Sequence, residues 1–136
     1  MSDLVNELLK ADTKKVFELE TGVFKSKSLA KLLGKTEPVD VTIRELPPRR
    51  KAKLMNQALD KNGNTDYELA YEANLKVIVE GVVDPPLKNA ELQDAYGCKM
   101  AIDLVERLFK SEVGELSEAI LELGIVEDAD YETIKN

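Results

Sequence analysis

Side chains able to do chemistry are sparse here, and what is missing narrows the choices first. None of the 136 residues is a histidine, which removes the commonest general base and the commonest metal ligand. The single cysteine, Cys98, can form neither an intramolecular disulfide nor a zinc site, and no histidine is present to activate its thiol. Lying just before an amphipathic segment, it reads as a small core residue. The seven glycines are scattered singly, with no GxxxxGK(S/T) or GxGxxG run to cradle a phosphate. Carboxylates are plentiful, but a catalytic pair needs a cleft that desolvates one of its members. Glu112, Glu115, Glu118 and Glu122 are instead spaced along the outer face of a helix. The expectation is a protein without catalysis, cofactor, metal or small-molecule substrate.

Charge is the sharper signal. In Pro47-Pro48-Arg49-Arg50-Lys51-Ala52-Lys53, four cations open a helix. They oppose its dipole there, so the run calls for a compensating contact. Phosphates of a nucleic acid, an acidic partner segment, and the chain's own excess carboxylates are the three candidates. The first lacks support from interleaved aromatics, because there is no Trp and there are only three Phe and four Tyr. A net charge of −7 and a pI near 4.8 also disfavour broad contact with nucleic acid or an anionic membrane. From Glu112 onward eight carboxylates face Lys135 alone. That end reads as a solvated helix face with a frayed tail, or as a surface that steers a basic partner. No apolar run reaches the roughly 18–20 residues that span a bilayer, and no secretory signal opens the chain. One cysteine and no signal together suggest a reducing cytoplasm.

The elements that would position these residues follow from periodicity and punctuation. Ser2 can cap a short helix whose Leu4, Val5, Leu8 and Leu9 form one apolar stripe. Lys15–Leu19 and Val39–Ile43 alternate apolar and polar residues and read as two strands. Ser28–Leu33 between them reads as a helical turn or two that ends at Gly34. Pro48 opens a helix that should run to about Leu59, followed by a turn over Asp60–Asn64. Thr65-Asp66-Tyr67-Glu68 has the form of a capping box before a helix through Val82, stopped by Asp84-Pro85-Pro86. Asn89 can cap a helix through Tyr96, with Gly97 as the break. Met100, Ala101, Leu104, Val105 and Leu108, then Val113, Leu116, Ile120 and Leu123, repeat at helical spacing up to Gly124. The expected fold class is mainly α. It is a single compact helical domain with a small two-stranded β element in its N-terminal third. Within it, residues 1–46 hold the short helix and the β pair, 47–124 the helical core, and 125–136 a flexible acidic tail.

The order of these pieces carries further information. Val41-Thr42-Ile43-Arg44-Glu45-Leu46 precedes a helix. Val79-Glu80-Gly81-Val82-Val83-Asp84-Pro85-Pro86-Leu87-Lys88-Asn89 comes next, with Glu91-Leu92-Gln93 and Tyr96-Gly97 just behind. A helix pair from Met100 to Gly124, turning at Val113-Gly114-Glu115-Leu116, completes the pattern. This arrangement resembles the XkdN-like tail assembly chaperones of long-tailed phages of Gram-positive bacteria. The likeness rests on structural punctuation and core residues, not on a catalytic fingerprint.

The resemblance implies a protein that binds the tape measure protein, keeps that aggregation-prone rod soluble and helps recruit tail tube subunits. It implies action in the host cytoplasm and absence from the finished virion. It also implies a longer form made by ribosomal frameshifting, which an A-rich stretch encoding Lys135-Asn136 would suit. A holdase needs only apolar surface that a client helix can cover. Ile102, Val105, Phe109 and Val113 are candidates for such a strip, although an amphipathic helix normally spends such a stripe on its own core. Arg49, Arg50, Lys51 and Lys53 are candidates for an acidic client stretch. An apolar surface strip would serve self-association equally well. Two other functions fit the sequence: a structural tail or head–tail connector component, and a nucleic-acid-binding regulator acting through Arg49–Lys53.

Overall fold

A computed structural model describes residues 3–125. Its centre is a three-stranded antiparallel sheet in the order β1-β2-β3, formed by Thr21–Ser26, Val39–Arg44 and Val82–Asp84. In β2, Val41 and Ile43 are buried while Asp40 and Arg44 face water, as alternation requires of a sheet covered on one side. Their partners across β1 are Phe24 and Gly22, which share that inner face. Helices supply the cover. They are α2 (Lys27–Leu33), α3 (Pro48–Asn56), α4 (Tyr67–Gly81), α5 (Ala90–Ala95), α6 (Ala101–Phe109) and α7 (Val113–Glu122). One apolar cluster joins Leu29 of α2, Val41 and Ile43 of the sheet, Leu75 and Ile78 of α4, Phe109 of α6 and Ile120 of α7.

The fold class is therefore mixed α/β, and this corrects the mainly α expectation and its two-stranded element. Two strands account for the difference. Val82–Asp84 continues the apolar run of α4 without a gap, and over three residues helical and strand periodicities look alike. What makes it a strand is pairing with β2, Ile43 against Val82 and Thr42 against Asp84, a contact across about forty residues of chain. The second difference lies at the front. Lys15–Leu19 is not a strand: Thr13–Phe17 forms a 3₁₀ turn, capped where the Lys14 amide donates to Asp12 Oδ1 at 3.0 Å. The true partner of β2 begins at Thr21, where Gly22 weakened the strand signal. Gly22 has a packing reason, since a Cβ there would stand 3.1 Å from Leu123 Cδ2.

Most of the punctuation lies where expected. Gly34 ends α2 in the left-handed region (φ 69°), Pro48 opens α3, and the Asn89 side chain accepts from the Leu92 amide at the start of α5. Two ends differ. α3 stops at Asn56, and Leu59 forms a bridge with Thr65 that closes the Asp60–Asn64 turn. With Thr65 in that bridge, the cap of α4 passes to Asp66, whose carboxylate accepts from the amides of Glu68 and Leu69. Helices α4 and α7 approach closely at Gly81, the last residue of α4, which packs against buried Ile120 of α7. The Ser2 cap and the acidic tail from Val126 lie outside the described residues.

Candidate partner-binding surface

The strip proposed on the C-terminal helices is not a surface. Val105, Phe109 and Val113 are fully buried, and Ile102 is half-buried against the same core. Helices α6 and α7 pack against α4, and the stripe is spent on the one core cluster that also holds Val41 and Ile43 of the sheet.

The cationic run divides. Arg50 donates from Nε to both carboxylate oxygens of Glu80, at 2.6 and 2.8 Å, and so ties the start of α3 to the end of α4. Lys51 donates to the Leu121 carbonyl at 2.6 Å, supplying a cation to the end of α7. Two of the four charges that oppose the dipole of α3 are thus matched inside the fold. Arg49 and Lys53 stay exposed. Cys98 is buried and accepts from Arg107 Nε at 3.0 Å. Among the described residues no cluster of three or more His, Cys, Asp or Glu could hold a metal ion.

A different apolar face is open to solvent. Helix α1 (Asp3–Lys10) has no buried residue. Leu4 and Leu8, one turn apart, remain 62% and 63% exposed, Leu9 beside them 71%, and Phe17 just beyond 82%. The helix has local support: Asp3 lies in its first turn and Lys10 in its last, both favourable to the dipole. Eight residues are nevertheless too few for a stable isolated helix, which makes a covering partner valuable. Nothing in this constellation activates a nucleophile or polarises a bond; what it offers is apolar contact.

A family model of the phage XkdN-like tail assembly chaperone protein matches residues 5–134, from α1 past the end of α7. The chain belongs to that family. The crystal structure of the protein yqbn resembles this chaperone with a TM-score of 0.52 at 16% identity, over 77% of this chain and 86% of that one. At that identity the likeness speaks for the fold alone. No curated relative matches the chain significantly. The α1 stripe was visible in the sequence as a helix face, yet its exposure was not, because a stripe does not say what covers it. The separation of α1 from the core shows only in the structure, where residues 12–20, expected to include a strand, carry no buried residue.

Proposed function

We propose that this tail assembly chaperone binds the tape measure protein and helps recruit tail tube subunits to it. It acts by contact alone, in the host bacterial cytoplasm, and leaves before the virion is complete. The exposed apolar face of α1 carries this reading. Leu4, Leu8 and Leu9 offer one side of a helix–helix seam, and an amphipathic client helix supplies the other. Covering them removes apolar area from water on both partners and orders a helix that is marginal alone. The net charge of −7 keeps chaperone and loaded client apart from other copies.

The test is co-expression with the tape measure protein of the same phage or prophage, followed by fractionation and pull-down. The proposal expects a soluble tape measure protein that co-purifies with the chaperone, and purified virions free of this chain. An insoluble, unbound tape measure protein, with this chain recovered in virions, would make it a structural tail component.

A further inference from the structure

An open cleft of about 780 Å³ lies where β1 and α2 meet the loop between α6 and α7. Its walls carry five cations, Lys25, Lys27, Lys31, Arg107 and Lys110, against two carboxylates, Glu112 and Glu115. The lining is thus net positive in a chain whose net charge is −7. The balance available to a visitor is sharper still. The Glu112 carboxylate accepts from Ser26 Oγ at 2.7 Å and from the amides of Lys27 and Ser28 at 2.9 and 3.2 Å. It is committed to joining α2 to the α6–α7 loop. Lys25 pairs with Asp40, and Arg107 is directed to Cys98. Lys27, Lys31 and Lys110 are exposed and have no carboxylate within ion-pair distance among the described residues.

Phe24, Leu32, Tyr96 and Leu108 add apolar side chains to the same lining. Lys110 holds its place at a cost: its φ of 49° is the one positive value at a non-glycine position among the described residues. A glycine would relieve that conformation, and a lysine sits there instead.

We infer that this cleft is a docking site for an acidic segment of a partner protein, one that carries both carboxylates and apolar side chains on one face. The mixture of free ammonium groups and apolar side chains fits such a segment. What decides against a nucleic acid is the net charge of −7, whose overall field repels a long polyanion. A peptide is drawn in by the local charge and held by its apolar residues. None of the lining residues belongs to α1, so this site and the tape-measure reading fail independently.

The experiment is fluorescence anisotropy on the full chain with a labelled synthetic helical peptide carrying Glu and Leu at i, i+3 and i+4 spacing. The same peptide with Gln or Lys replacing Glu, and an oligo-dT strand, are the comparisons. The Glu peptide is expected to bind, more weakly as salt rises, and the Gln peptide at least about tenfold more weakly. The variant Lys27→Glu/Lys31→Glu/Lys110→Glu is expected to lose the Glu peptide by about tenfold or more and to gain the Lys peptide. Lys110→Gly separates binding from folding: its urea midpoint rises while its affinity for the Glu peptide falls. Equal binding of the Glu and Gln peptides, preference for oligo-dT, or Glu-peptide binding unchanged in the triple variant would each overturn the inference.

Discussion

Replacing Gly81 by alanine tests the junction at which α4 becomes β3. The added Cβ would stand 2.5 Å from Ile120 Cγ2 and 2.8 Å from Cδ1, closer than real Cβ contacts come. Ile120 is fully buried, so it cannot swing into solvent to make room. Overpacking of this kind costs about 1–3 kcal/mol. Alanine recovers part of the roughly 1 kcal/mol by which it exceeds glycine in a helix, and only part, because position 81 ends the helix. The net expectation for Gly81→Ala is a loss of about 1–2 kcal/mol. Ile120→Ala alone should cost about 2–5 kcal/mol as a cavity mutation. In that background both clashing carbons are gone, and Gly81→Ala should become neutral or stabilising. Urea unfolding followed by circular dichroism reads all four corners of the cycle, provided the slopes agree. A double mutant as unstable as the sum of the singles, or a neutral Gly81→Ala in the natural background, would refute the steric account of this junction.

Glu112→Ala should cost about 2–4 kcal/mol, because it removes three bonds to the carboxylate and leaves the buried Ser26 hydroxyl without its acceptor. Glu112→Gln should recover part of that loss through its single acceptor oxygen, and melting curves order the two variants; equal melting points for both and the natural protein would dismiss the clamp. The Tyr71 phenol titrates above its ordinary value of 10.0, first through desolvation, then through its 2.8 Å hydrogen bond to Glu106 and the nearby charges of Glu106 and Glu72. A raised folded pKa means that the fold holds the proton more tightly than the unfolded chain does. The resulting stability is complete below the unfolded value and is lost as pH rises through the folded one. An alkaline ultraviolet titration of the natural protein minus Tyr71→Phe should show this late phenol, and a difference curve centred at or below 10.0 would reject the assignment.

Legibility in the sequence followed the range of the contacts involved. Local chemistry was read well: Gly34, Pro48, Asn89 and Gly97 mark element ends, and β2 declares itself by alternation. Features made by pairing over distance were not. β3 is only three residues long and takes its identity from Ile43 and Thr42 far upstream, so its apolar residues looked like one more helical turn. The sheet contributes Val41 and Ile43 to the core, and Phe109 and Val113 join the same cluster as α6 and α7 pack against α4. The stripe expected on the surface therefore went inside, and the open apolar face fell to α1. The basic cleft was equally hidden, since Lys27 and Lys31 meet Lys110 through long-range contacts: α2 packs on α6, Ser28 Oγ donates to the Leu108 carbonyl, and Glu112 accepts from the start of α2. The run at Arg49–Lys53 shows the converse. Its anomaly was real, but Arg50 and Lys51 are answered within the fold by Glu80 and the Leu121 carbonyl.

The most direct test of the functional account replaces Leu4, Leu8 and Leu9 together by serine and repeats the co-expression with the tape measure protein. Burying a whole leucine contributes about 1.5–3 kcal/mol, and roughly two-thirds of each of these remains to be buried, so the three together should be worth about 3–6 kcal/mol. That corresponds to about 10²–10⁴ in affinity. None of the three is buried in the free chaperone, so its urea midpoint should not move. The account predicts a folded variant, as stable as the natural protein, that leaves the tape measure protein in the pellet. A variant that solubilises and co-purifies the tape measure protein as well as the natural chain does would contradict it.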